Sequence, residues 1–169
     1  SILKGEDVLA IAQTGTGKTI AFAVPVIDTI LTLKRRNKNP GIQSIIMVPT
    51  RELAVQIQDV FMALCRKTRV KPFAVFGGVE QDRQIQALIK GVDILIATPG
   101  RMFDLISQKA IDIAQVKILI LDEADQMLAK GFFEDIQCVK RLLKQRHQTL
   151  FFSATINKNI KKLAYSQVK

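Results

Sequence analysis

Val8-Leu9-Ala10-Ile11-Ala12-Gln13-Thr14-Gly15-Thr16-Gly17-Lys18-Thr19 passes from a four-residue apolar run, through a loop with two glycines, into a segment whose apolar residues recur at helical spacing. Strand, loop and helix in that order open a βαβ unit. The glycines let the backbone turn back and present successive N–H groups to an anion, and the N-terminus of the following helix adds roughly half a positive charge. A phosphate fits such a cradle, formed by Ala12, Gln13, Thr14, Gly15, Thr16, Gly17, Lys18 and Thr19. Lys18 would reach the β- and γ-phosphates as a point charge, and the Thr19 hydroxyl would ligate a magnesium ion bridging them. The Walker A pattern places glycine where this chain has Ala12, so the pattern is incomplete.

Outward from this loop, short apolar runs alternate with helix-period segments to the end of the chain, the mark of repeated βαβ units. Strands are expected at Val8–Ile11, Ser44–Val48, Pro72–Phe76, Ile94–Ala97, Ile118–Leu121 and Thr149–Phe152. Helices are expected from Lys18 to about Leu33, Arg51 to about Lys67, Asp82 to Lys90, Met102 to Gln108, Glu134 to Gln145, and from Asn157 onward. Continuous apolar strands of this kind are covered on both faces, so the fold class is α/β: three layers, a mostly parallel sheet with helices on both sides. Pro25 falls inside the first helix and should kink it or remove a hydrogen bond. Ligands of open α/β sheets gather at the carboxyl ends of the strands, where several polar clusters of this chain lie.

With 169 residues, 48% of them apolar, the chain can bury one good core, and a single domain is expected. A formal charge of +10 suits a polyanionic partner. No apolar run reaches the length of a membrane span and no signal segment opens the chain, so the expectation is a soluble intracellular protein, cytoplasmic, or nuclear in a eukaryote. Cys65 and Cys138 lie far apart in helical patterns and suggest neither a disulfide nor a zinc site, and His147 is the only histidine. Two basic tracts, the linker Lys34–Gly41 and Arg66-Lys67-Thr68-Arg69-Val70-Lys71, read as solvated surface. Nine Phe and one Tyr fall mostly at core positions, so base-stacking platforms are not evident.

Ile118-Leu119-Ile120-Leu121 ends in Asp122-Glu123-Ala124-Asp125, a buried strand delivering acids to its carboxyl end in the Walker B manner. Hydrolysis of a phosphoanhydride needs a metal to neutralise phosphate oxygens and a carboxylate to orient the attacking water. Asp122 suits the first role, through a water of the magnesium shell, and Glu123 the second.

These motifs, with Pro49-Thr50-Arg51-Glu52-Leu53-Ala54, Gly77-Gly78, Thr98-Pro99-Gly100-Arg101 and Ser153-Ala154-Thr155, resemble in order those of the DEAD-box RNA helicases, whose phosphate loop begins with Ala. The resemblance covers nearly the whole chain. It implies a RecA-like P-loop NTPase domain, the first of a superfamily 2 helicase core, using ATP and Mg2+ to unwind or remodel RNA. It assigns RNA-backbone contacts to Pro49, Thr50, Arg51, Gly78, Thr98, Pro99, Gly100 and Arg101. Contacts to sugar and phosphate carry no sequence information. It assigns the coupling of ATP state to RNA release to Ser153 and Thr155, through hydrogen bonding to Asp125. Taken alone, Thr50 with Glu52 reads as a helix cap, and so does Ser153-Ala154-Thr155. The resemblance also implies a Gln-containing adenine-recognition motif upstream and a second RecA-like domain downstream, as partner and source of arginine fingers. Neither is visible in these residues, so the isolated chain is expected to be a monomer with negligible RNA-stimulated ATPase and no unwinding.

Overall fold

The computed structural model describes residues 1–13, 15, 17–36 and 41–167. Six strands form one parallel sheet: β1 (Val8–Ile11), β2 (Ser44–Met47), β3 (Pro72–Val75), β4 (Ile94–Ala97), β5 (Ile118–Leu121) and β6 (Gln148–Ser153). Their spatial order is β1-β6-β5-β2-β4-β3. The helices between them are α1 (Lys18–Arg36), α2 (Arg51–Cys65), α3 (Gln81–Ile89), α4 (Pro99–Ser107), α5 (Ala124–Ala129), α6 (Phe133–Leu142) and α7 (Lys158–Gln167).

Alternation along each strand builds two cores, because successive side chains leave opposite faces of the sheet. Ile46, Ile94, Ile96, Ile118, Ile120 and Phe152 pack under α1 and α2, where Phe22 meets Phe152 with ring centroids 5.4 Å apart. Ile45, Met47, Leu95, Leu119, Leu121 and Phe151 pack on the other face against Met102, Met127, Ile136, Val139 and Leu163 of α4 to α7. The result is the expected three-layer α/β architecture.

Pro25 does not break α1, which continues to Arg36. The carbonyl that loses its partner belongs to exposed Ala21, where water can replace the missing N–H, and the Thr29 hydroxyl donates to the Pro25 carbonyl at 2.9 Å. α4 begins at Pro99 rather than Met102, because proline's fixed φ and absent N–H suit the first helical position. α5 was not expected: Ala124–Ala129 is too short for a periodic signal and follows directly on the acidic run. The linker divides, with Lys34, Arg35 and Arg36 closing α1 and residues 37–40 lying outside the described set.

β3 stands at one margin of the sheet. The Ala74 amide on its outer edge donates to Gln58 Oε1 of α2 at 2.6 Å, and the Phe76 carbonyl just beyond it accepts from Gln84 Nε2 of α3 at 3.0 Å.

Candidate nucleotide and nucleic-acid site

The carboxyl ends of all six strands open on one side, and the predicted residues arrive there by short connections. β1 leads to the Gly-rich loop, where the Ala12 amide donates to the Ser153 carbonyl at 3.0 Å, fixing the loop against the end of β6. Gly15 and Gly17 have φ of +84° and +76°, a left-handed backbone that explains glycine at these two positions. Thr14 and Thr16 lie outside the described residues.

Lys18 and Thr19 begin α1, and Lys18 Nζ stands 2.5 Å from Asp122 Oδ1 at the end of β5. The two side chains are 6% and 1% exposed, so the charges neutralise each other out of contact with bulk water. Burial pushes the Asp122 carboxyl above its ordinary pKa, and the Lys18 hydrogen bond and charge offset part of that rise. The Glu123 amide donates to Asp122 Oδ1 at 2.9 Å, while Asp122 Oδ2 is buried with no hydrogen-bond partner. An unpartnered carboxylate oxygen is an acceptor reserved for something else, and a water of a magnesium shell fits it. Among the described residues no group of three or more His, Cys, Asp or Glu could hold a metal.

Glu123 adopts φ 52°, ψ 49°, left-handed for a residue that is not glycine, and it is buried. Such a conformation costs about 1 kcal/mol or more and persists only where its surroundings enforce it. Gln126 Nε2 donates to Glu123 Oε2 at 2.5 Å, which fixes the carboxylate at the start of α5. Burial first, and the neighbouring Asp122 charge second, raise its pKa. Gly15, Gly17, Lys18, Thr19, Asp122 and Glu123 line one cavity of about 230 Å³ together with Leu53, Gln56 and Val60 of α2. Sequence reasoning missed those three; their i, i+3, i+7 spacing on α2 marks a face but does not say which cavity it meets.

The last acid of the run faces β6. Thr155 Oγ1 donates to Asp125 Oδ2 at 3.1 Å, and the Ala154 amide approaches Asp125 Oδ1 at 3.5 Å. The Ser153 hydroxyl donates instead to the Thr155 carbonyl at 2.8 Å. The helix-cap reading of Ser153-Ala154-Thr155 does not hold, since α7 is capped by Asn157, whose Oδ1 accepts from the Ile160 amide at 2.9 Å.

A second cluster lies on the same edge, past β2, β4 and β3. Thr50 caps α2, accepting from the Leu53 amide at 3.2 Å, as its spacing predicts. Arg51 stacks over Phe76 at 5.1 Å. Gly78 has φ +78°, and a Cβ there would stand 3.9 Å from Arg51 Nη1, so the two residues adjoin. Pro99 and Gly100 sit in the first turn of α4, and Thr98, just before it, accepts from the Met102 amide through its carbonyl.

Arg101 is half-buried and largely engaged within the protein. Its Nη1 donates to Gln84 Oε1 at 3.0 Å and its Nη2 to the Val79 carbonyl at 3.1 Å. Gln84, itself 5% exposed, completes the tie by donating to the Phe76 carbonyl. Arg101 therefore holds the 76–79 loop against α4, and Gln84, unmarked in the sequence, is the centre of that bracket.

Comparisons with known proteins identify the family. A family profile described as DEAD/DEAH box helicase matches residues 1–163. The chain is 45% identical over 164 residues to the ATP-dependent RNA helicase DBP3 of Lodderomyces elongisporus, spanning 96% of this chain and 30% of that protein. It is 44% identical over 167 residues to the DEAD-box ATP-dependent RNA helicase CshA of Streptococcus pneumoniae, spanning 99% of this chain and 31% of that one. The chain thus spans about a third of the length of these curated relatives. Among solved structures, the yeast DEAD-box splicing factor Prp28 superposes with a TM-score of 0.87 at 31% identity, covering 97% of this chain and 40% of that one. A hypothetical ATP-dependent RNA helicase from Sulfolobus tokodaii gives 0.88 at 34%, covering 99% and 47%. In sequence and in its RecA-like fold, the chain belongs to the DEAD/DEAH box helicase family.

Proposed function

We propose that this chain is the ATP-binding half of an ATP-dependent RNA helicase, and that in a longer protein a second RecA-like domain completes both its nucleotide and its RNA sites. The observation that carries the reading is the pairing of Lys18 with Asp122 beside an unpartnered Asp122 Oδ2 and a fixed Glu123 carboxylate. Thr19 and Asp122 would hold magnesium, which when bound neutralises charge on the β- and γ-phosphate oxygens. Lys18 would bind the same phosphates from the loop side. Glu123, held by Gln126, would take the proton of the attacking water. Asp125 and Thr155 would carry the state of this site to β6 and α7.

The RNA reading assigns backbone contacts to Pro49, Thr50, Arg51, Gly78, Thr98, Pro99, Gly100 and Arg101, the last of which also braces the 76–79 loop. Glycine and short hydroxyl side chains permit close approach of a sugar–phosphate strand, and Arg51 supplies charge. Binding should therefore weaken steeply with salt and vary little with sequence. ATP turnover measured with and without RNA, on the longer protein and its Glu123→Gln variant, tests the whole reading. RNA-stimulated turnover abolished by the substitution is the expected result; turnover indifferent to RNA would reject the helicase assignment.

A further inference from the structure

We infer that the opposite edge of the sheet carries a second RNA-phosphate contact, formed where the basic C-terminal end of α1 meets the basic segment after α2. The inference rests on the reading of the chain as an RNA helicase domain for the identity of the polyanion, and on the structure for the place. In sequence Lys34 and Arg69 are 35 residues apart, and each of their tracts looks like ordinary solvated surface. The fold joins them: Lys34 Nζ donates to the Arg69 carbonyl at 2.9 Å, and a recess of about 380 Å³ is lined by Lys34, Arg35, Lys67 and Arg69 with Leu31 and Thr68. Arg36 and Arg66 extend the patch, both exposed.

Three observations separate this patch from a merely soluble surface. Among the described residues, Arg35, Arg36, Arg66, Lys67 and Arg69 form no ion pair; the acid at hand, Asp93, is buried and takes both of its oxygens to Lys34 Nζ and one to the Lys71 amide. The nearest acids on the two helices, Asp28 and Asp59, stand seven residues before Arg35 and Arg66, about 10 Å along the axis. One or two cations suffice to complement a helix C-terminus, so the remainder repel one another without a return inside the protein. Such a cluster gains free energy when phosphates displace its counterions.

The contact is to the phosphate backbone, since no aromatic side chain lines the recess for a base to stack on. A concave recess also suits a strand of phosphates better than the flat surface of a bilayer. The patch is separated from the Arg51–Gly78 cluster by the length of α2, fifteen residues or about 22 Å. It would thus hold an RNA segment flanking the one at the carboxyl edge.

The test uses the triple variant Arg66→Gln/Lys67→Gln/Arg69→Gln, three exposed side chains whose loss leaves the Lys34–Asp93 pair intact. Fluorescence anisotropy of a labelled single-stranded RNA is titrated with the chain across a salt series. Binding of a fluorescent ADP and the melting temperature are measured alongside. Expected is RNA affinity at low salt weakened roughly tenfold or more, and a log Kd against log salt slope reduced by about 2, with ADP binding and melting unchanged. Unchanged affinity and slope would overturn the inference. Arg51→Gln, measured in parallel, separates the two readings. Loss only in Arg51→Gln leaves the carboxyl-edge site standing and removes this one; loss only in the triple variant does the reverse. Sedimentation with anionic phosphatidylserine vesicles that depends on the triple site, without RNA binding that does, would reassign the patch to lipid and overturn the RNA assignment.

Discussion

The proposed nucleotide side and the proposed RNA side of the carboxyl edge are built from the same kind of strand end, yet they dispose of their charges differently. At β5 the buried Lys18 and Asp122 neutralise each other, and burial raises the pKa of Asp122. Past β4, the half-buried Arg101 is absorbed into hydrogen bonds with Gln84 and the Val79 carbonyl, while exposed Arg51 lies against the Phe76 ring. The first side buries its paired charges, where each interaction is strong and each loss is costly. The second side would offer RNA mostly backbone and the exposed Arg51, a weaker and salt-sensitive grip. α2 stands between them: Leu53, Gln56 and Val60 face the nucleotide cavity, while Arg51 and Gln58 line the recess beside β3. A shift of this one helix would be felt on both sides.

The contrast can be broken most severely at the nucleotide side. Removing the proton acceptor with Glu123→Gln should lower ATP turnover of the longer protein about 10²- to 10⁴-fold while leaving nucleotide affinity nearly intact, as single-turnover assays and fluorescent-nucleotide titration would read. Lys18→Met strikes both function and stability. It strands the Asp122 carboxylate in the interior, so urea unfolding should report a loss of about 3 kcal/mol, together with lost ATP binding.

On the RNA side the effects should be smaller and of another kind. Gln84→Leu leaves the Phe76 carbonyl and the Arg101 guanidinium each short of a partner and should cost about 2 kcal/mol in urea unfolding. RNA affinity should fall with it while ADP affinity holds. Gln84→Glu, which keeps an acceptor for Arg101, should restore part of the RNA affinity, a rescue that simple loss of packing would not give. Thr50→Ala, which removes the cap on α2, should cost about 1 kcal/mol and lower the melting temperature by roughly 2–4 °C.

Much of this architecture is legible in the chain because its strands are continuous apolar runs and its functional clusters follow them directly. β4 and β5 begin and end where expected, and every cluster sits at a carboxyl end. What escaped depends on partners that only the folded backbone brings together. Gln84 looks like any polar residue on an amphipathic helix until Arg101 and the Phe76 carbonyl are brought to it. Gln126 looks like a solvated position until the left-handed backbone at Glu123 turns the carboxylate toward it. Likewise the sequence gives no sign that Arg101, which the resemblance makes an RNA contact, also braces the 76–79 loop through the Val79 carbonyl. Ser153 and Thr155 carried two readings in sequence, and only the position of Asn157 at the start of α7 removes the cap.

The margin at β3 has a consequence for how the folded chain behaves when crowded. An open sheet edge invites a neighbouring copy to add its own strand, the first step toward polymerisation. Here that edge begins with Pro72, which has no amide hydrogen to offer, and the next outward amide, Ala74, is held by Gln58, while Gln84 occupies the Phe76 carbonyl. Two helices each spend a side-chain amide to keep this margin closed, so concentrated solutions of the domain are protected from strand exchange there by groups that also adjoin the proposed RNA contacts.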